Sequence, residues 1–141
     1  MLQLPSSIIL EVTARCNYHC PFCYCVWHEF PELAKPELDT AAWEDILREC
    51  AARGVNDILF TGGEATLRQD IWHLLDFARG LMPSGRLALF TNGSRMTEDK
   101  LLWCKEKKIE LSTSLQGLKT YGIQTGTRRT FAKTLSFIAR A

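Results

Sequence analysis

The chain has 141 residues, 46% of them hydrophobic and 23% charged, with a formal net charge of +1; this composition is that of one ordinary globular domain and excludes disordered and fibrous classes. No apolar run approaches the roughly 20 residues that span a bilayer, and the opening MLQLPSSIIL has neither the basic segment nor the cleavage site of a secretory signal, so a cytoplasmic protein with no membrane partner is expected. The near-neutral total hides 5 basic and 11 acidic residues over 1–70 against 12 and 5 over 71–141. Lys105, Lys107 and Lys108 nevertheless fall late in a predicted helix, where cations suit the dipole, so a solvated helix end is expected there and no nucleic-acid partner.

In chain order, Ile8 to Thr13 reads as a strand, rich in β-branched and aliphatic residues after Pro5 and two serines, and a cysteine-bearing loop follows it. From a cap at Asp39 or Thr40, Trp43, Ile46, Leu47, Cys50 and Ala51 recur with helical period until Gly54. Val55 to Phe60 is a second strand running into Thr61-Gly62-Gly63-Glu64, and Ile71, Leu74, Leu75 and Ala78 mark a helix that Gly80 should stop. Leu87 to Phe90 is a third strand ending in Thr91-Asn92-Gly93, and Thr97 caps a helix carrying Leu101, Leu102 and Cys104. Ile109 to Leu115 is a fourth strand running into Gln116-Gly117. After a polar, Gly-rich stretch, Phe131, Leu135, Ile138 and Ala139 mark the apolar face of a last helix.

Four strand-helix pairs in strict alternation predict an α/β fold with parallel strands and right-handed crossovers, because a parallel neighbour needs a connection about as long as a helix. In such folds the loops at the carboxyl ends of the strands build the site. Every unusual motif of this chain lies at one of those ends. Stability alone predicts glycines and caps there, but not three thiols.

Those thiols form CxxxCxxC: Cys16, Cys20 and Cys23 lie within eight residues of loop. Such spacing fits one compact inorganic unit better than a set of disulfide staples, and without a secretory signal the thiols stay reduced. Soft thiolates select zinc or iron-sulfur clusters, and a four-iron cubane given only three cysteines keeps one iron open. Zinc would want a fourth ligand, for which His19, Cys25 and His28 are candidates. Cys50 and Cys104 fall on apolar helix faces and read as small core residues.

CxxxCxxC after the first strand, with Phe22 just before the last cysteine, resembles the signature of the radical S-adenosylmethionine (radical SAM) superfamily. Gly62-Gly63-Glu64 matches the family's GGE motif, Thr91-Asn92-Gly93 its third-strand turn, and Ser114-Leu115-Gln116-Gly117 a turn usually written S-x-D-G. Within the family the chain is most similar to members that modify peptides or proteins, on the weaker segments TNG, SLQG and 126–131. The resemblance implies a partial TIM-type barrel of strand-helix units, of which about four are present, with residues 1–141 as the front part of the core domain. It implies a 4Fe-4S cluster on Cys16, Cys20 and Cys23, and S-adenosylmethionine chelated by the open iron. An electron from a donor such as flavodoxin or ferredoxin would then release methionine and a 5′-deoxyadenosyl radical, which abstracts hydrogen from a peptide or protein substrate. No catalytic side chain beyond the ligands is assigned.

Contacts to the cofactor would come from Phe22, Gly62, Gly63, Glu64, Thr91, Asn92, Ser112 and Ser114. Gly62 and Gly63 let backbone approach a ligand, and carbonyl or Glu64 oxygens can accept from its ammonium group, or GGE is a plain Gly turn. Phe22 covers the adenine face or packs the loop; Thr91 and Asn92 contact the methionine end or form an Asn-Gly turn. Ser112 and Ser114 share one strand face, toward the ribose, or one is a buried, satisfied hydroxyl.

Departures from the pattern are Ala65 for the usual Pro after GGE, Gln116 for the usual Asp, and the extra Cys25, which would block the cofactor if it capped the fourth iron. About six strand-helix units make the family's usual core, so a fragment, or a chain completed by a partner, is expected. Competing readings are a noncatalytic metal-binding or interaction module, with zinc or a fully ligated cluster, and a radical enzyme acting on a small molecule.

Overall fold

A computed structural model describes residues 5–25, 27, 29–33, 36–115, 117, 120–125 and 130–141. The turn residue Gln116, Gly126, the alternative ligand His28 and the Phe131 side chain lie outside the described residues. Four strands, β1 (Ser7–Glu11), β2 (Asp57–Thr61), β3 (Arg86–Phe90) and β4 (Ile109–Ser112), form one parallel sheet in the order β1-β2-β3-β4. They alternate with α1 (Thr40–Ala52), α2 (Ile71–Leu81) and α3 (Glu98–Glu106), and two further helices, α4 (Tyr121–Gln124) and α5 (Thr130–Arg140), follow β4. The expected α/β alternation is therefore present, with β1 and β4 each paired on one side only among the described residues.

Register sorts the strand side chains into two faces, because successive residues point to opposite sides. Ile58 aligns with Leu87 and Leu87 with Ile109, while Leu10 aligns with Phe60 and Phe60 with Leu89. These residues pack under Trp43, Leu47 and Cys50 of α1, Ile71, Leu74, Leu75 and Ala78 of α2, and Leu101 and Cys104 of α3. Both helical cysteines are thus core residues. The opposite face carries Ile9, Leu59 and Phe90, which α1, α2 and α3 leave uncovered.

Side chains cap two of the three helices that connect the strands. Asp39 accepts from Ala42 N at 2.8 Å and Thr97 from Lys100 N at 3.4 Å. Asp70 precedes α2 without capping it, since its carboxylate is engaged by Arg68 and Thr40. β2 starts at Asp57 rather than Val55 and runs one residue further, to Thr61, and four other expectations shift. β1 ends at Glu11 rather than Thr13, although Val12 N still donates to Thr61 O at 2.9 Å and Gly63 N to Thr13 O at 2.8 Å, so the chain keeps running beside β2. β4 ends at Ser112 rather than Leu115, leaving Ser114 in the following loop. α2 passes through Gly80 to Leu81, where Pro83 follows and the Arg79 guanidinium gathers the carbonyls of Met82, Gly85, Lys107 and Lys108.

The fourth concerns α5. It buries Thr134 and Phe137 and leaves Leu135, Ile138 and Ala139 exposed, the reverse of the apolar face that periodicity predicts. Gly93 supplies the reason: a Cβ there would lie 2.6 Å from the Phe137 ring, so the missing side chain opens a slot for it. One helical turn earlier, the Thr134 and Tyr121 hydroxyls pair at 2.9 Å. These anchors rotate the helix about its axis.

Candidate functional site

All four strand ends deliver their motifs to one cleft of about 330 Å³, near the lower end of the roughly 300–1,000 Å³ range of cofactor pockets. Its walls include Cys16, Cys20 and Cys23, Phe22, Gly62, Gly63 and Glu64, Thr91 and Asn92, and Ser114. Ser112 lies on the same sheet face as Phe90, with which it is in register, but does not line the cleft. Ile9, Leu59 and Phe90 supply an apolar floor.

The cysteine loop leaves β1 beside GGE. Gly63 N donates to Thr13 O and Glu64 N to Arg15 O, both at 2.8 Å, which extends the β1-β2 ladder to the threshold of Cys16. A Cβ on Gly62 would sit 2.3 Å from Thr13 O, and one on Gly63 would sit 2.4 Å from Arg15 O. The close approach that glycine permits here is therefore to the root of the cysteine loop. Gly62 also holds φ +143, a conformation that side chains rarely adopt.

Glu64 is 1% exposed and draws four donors. Oε1 accepts from Thr66 N at 3.1 Å, the Thr66 hydroxyl at 2.5 Å and the Thr91 hydroxyl at 2.7 Å, while Oε2 accepts from Asn92 N at 2.7 Å. A buried carboxylate needs such company. Here it welds the GGE segment to the TNG turn.

Asn92 continues the chain of contacts. Its amide donates to Asn17 Oδ1 at 3.0 Å, Asn17 donates to Ser94 Oγ at 2.8 Å, and Ser94 N donates to Asn92 Oδ1 at 2.9 Å. Asn17 lies inside CxxxCxxC, so the TNG turn is tied directly to the cysteine loop.

Within that loop the sulfurs receive backbone donors: Tyr18 N lies 3.4 Å from Cys16 Sγ and Cys25 N 3.4 Å from Cys23 Sγ. Cys23 N donates to Cys20 O at 2.9 Å, closing a turn through Pro21 and Phe22, which leaves the Phe22 ring half exposed at the mouth. Burial pushes the Cys20 thiol up to about 11, with Cys16 and Cys23 adding to the effect, and burial likewise raises Cys16. A cationic guest would offset that burial for Cys16 and Cys20.

The donor set fits a cluster. Three soft thiols line one cavity, and a cubane would take each thiolate on a different iron. Amide donors to sulfur are a recognised means of tuning such clusters. Cys25, by contrast, is 3% exposed, does not line the cleft, and turns its sulfur to Gly62 O at 3.8 Å. It packs behind the loop.

Sequence reading missed several contributors. Asn17 and Ser94 carry no pattern of their own. Tyr18 and Tyr121 are buried in the cleft wall beside Thr125; burial pushes the Tyr18 phenol up to about 12, with the Tyr121 phenol next in effect. Only the inserted position of Tyr18 between two cysteines hinted at a role.

Comparison with known proteins agrees with this geometry. Over 97 residues the chain is 37% identical to the PqqA peptide cyclase of Gluconobacter oxydans, covering 69% of this chain and 26% of that protein. Over 87 residues it is 37% identical to the probable GTP 3′,8-cyclase of Methanopyrus kandleri, covering 62% of this chain and 26% of that protein. The fold superposes on Streptococcus suis SuiB bound to precursor peptide SuiA with a TM-score of 0.78 at 24% identity, over 99% of this chain and 32% of SuiB. The chain thus spans about a quarter of the length of these curated relatives. Residues 10–141 match the model of the Radical SAM superfamily, and the chain belongs to that superfamily.

Proposed function

We propose that this cleft binds a 4Fe-4S cluster through Cys16, Cys20 and Cys23 together with S-adenosylmethionine, and serves a radical modification of a peptide or protein side chain. The observation that carries the reading is the arrival of three thiols, GGE, TNG and Ser114 in one cavity from four different strand ends. When bound, the pair supplies one-electron cleavage of the sulfonium to methionine and a 5′-deoxyadenosyl radical.

The chain's own residues position and shield. The Gly62-Gly63 backbone offers carbonyl acceptors to an ammonium group from the cleft wall, and Glu64, its oxygens engaged by Thr66, Thr91 and Asn92, holds that wall in place. Thr91 and Asn92 hold the adjacent wall, and Ser114 offers a hydroxyl from the far side, with Ser112 beneath it on the open sheet face. Phe22 at the mouth excludes water from the adenine side. Because Cys25 turns away from the cleft, Cys16, Cys20 and Cys23 would hold the cluster and leave one iron for the methionine end.

Peptide substrates are favoured by two relatives, a peptide cyclase and a protein bound to a precursor peptide. A small-molecule substrate is the second reading, favoured by the likeness to a probable GTP cyclase. In either case a flavodoxin or ferredoxin would deliver the electron. The test is release of 5′-deoxyadenosine from S-adenosylmethionine under a strong reductant. Cys20→Ala should abolish it, and release that persists in this variant would overturn the ligand assignment.

A further inference from the structure

The cysteine loop leaves the sheet at Val12, and the chain comes back past the same point at residues 36–38. Arg15 and Glu37 close this neck: Arg15 Nε donates to Glu37 Oε1 and Nη2 to Oε2, both at 3.1 Å. The Thr13 hydroxyl donates to the same Oε1, so one carboxylate grips both residues just before Cys16.

Beneath it lies Arg68, 5% exposed, from the segment after GGE. Its Nη1 donates to Val12 O at 3.1 Å and stands 3.9 Å from Glu37 Oε2, while Nε and Nη2 engage Asp70 at 2.7 and 2.9 Å. Charges therefore alternate along Arg15, Glu37, Arg68 and Asp70. An isolated exposed ion pair contributes little, but this one is bidentate, networked and backed by a buried guanidinium. Burial pushes the Glu37 carboxyl up, yet the hydrogen bonds from Thr13 and Arg15 and the charges of Arg15 and Arg68 outweigh it and hold it below the usual carboxylate range.

We propose that Glu37 is a positioning residue for the cluster, clamping the neck of the cysteine loop against Arg68 so that the three thiols face the cleft before any cluster arrives. Arg15 acts with it from the other side of the neck. The inference rests on the reading that those thiols hold a cluster. Its physical content is preorganisation: a loop fixed in advance loses less freedom when its guest binds, so the guest is held longer.

Two measurements separate the clamp from the cluster reading. In the metal-free protein, hydrogen exchange of residues 13–25 should be at least about tenfold faster in Glu37→Ala than in wild type, with β2 and β3 unchanged. In anaerobically reconstituted protein, an iron chelator should strip Glu37→Ala at least about fivefold faster at an unchanged melting temperature, with Glu37→Gln between the two. Should Glu37→Ala fail to fold, Arg15→Ala, whose side chain is exposed and bonds to Glu37, should show the same pattern. Wild-type rates of exchange and of iron loss in these variants would overturn the clamp. A wild-type chain that takes up no iron would instead overturn the cluster reading, and the exchange experiment would still judge the clamp.

Discussion

Leu59 and Phe60 are neighbours in β2 with opposite surroundings. Phe60 is 0% exposed between the sheet and its helices, whereas Leu59 lines the cleft on a face that also carries Ile9 at 63% exposure. The face under the helices is closed by apolar packing, and that packing holds the fold. The other face is open, and the loops around its rim are joined by carboxylates, amides and backbone bonds instead. One sheet thus divides its work by side: oil holds the strands in place, and polar contacts hold the motifs where the strands end.

The sharpest way to break this comparison is to truncate one side chain on each face and at the rim. Phe60→Ala should be the most damaging, lowering unfolding free energy by about 3–5 kcal/mol in urea or thermal melts. Glu64→Ala should follow at about 3 kcal/mol, because it leaves buried donors on Thr66, Thr91 and Asn92 without an acceptor. Gly63→Ala forces backbone apart at Arg15 and should cost about 1–3 kcal/mol, with hydrogen exchange locating the damage at residues 13–17. Ile9→Ser, on the open face, should stay within about 0.5 kcal/mol of wild type. Equal losses for Phe60→Ala and Ile9→Ser would mean that the open face is covered in solution.

Much of this was legible in the sequence, and the legible part has a common cause. Strands, caps and the helix faces of α1 and α2 follow from local periodicity, and CxxxCxxC is a local spacing. What was not legible depends on partners far along the chain. Gly62 and Gly63 advertise close approach, but not that the neighbour is the backbone at Thr13 and Arg15. Glu64 reads as a free acceptor until Thr91 and Asn92 are seen to use it. Asn92 and Asn17 are 75 positions apart, and neither residue's sequence neighbourhood points to the other. The α5 face went astray for a related reason: periodicity counts apolar residues, whereas the helix orients by one slot at Gly93 and one hydroxyl at Tyr121.

The central claim concerns the three thiols. Anaerobic reconstitution should load about four irons and four sulfides per chain, Cys20→Ala should lose them, and the electron paramagnetic resonance spectrum of the reduced cluster should shift when S-adenosylmethionine is added. One zinc per chain, or a cluster whose spectrum is indifferent to S-adenosylmethionine, would contradict it.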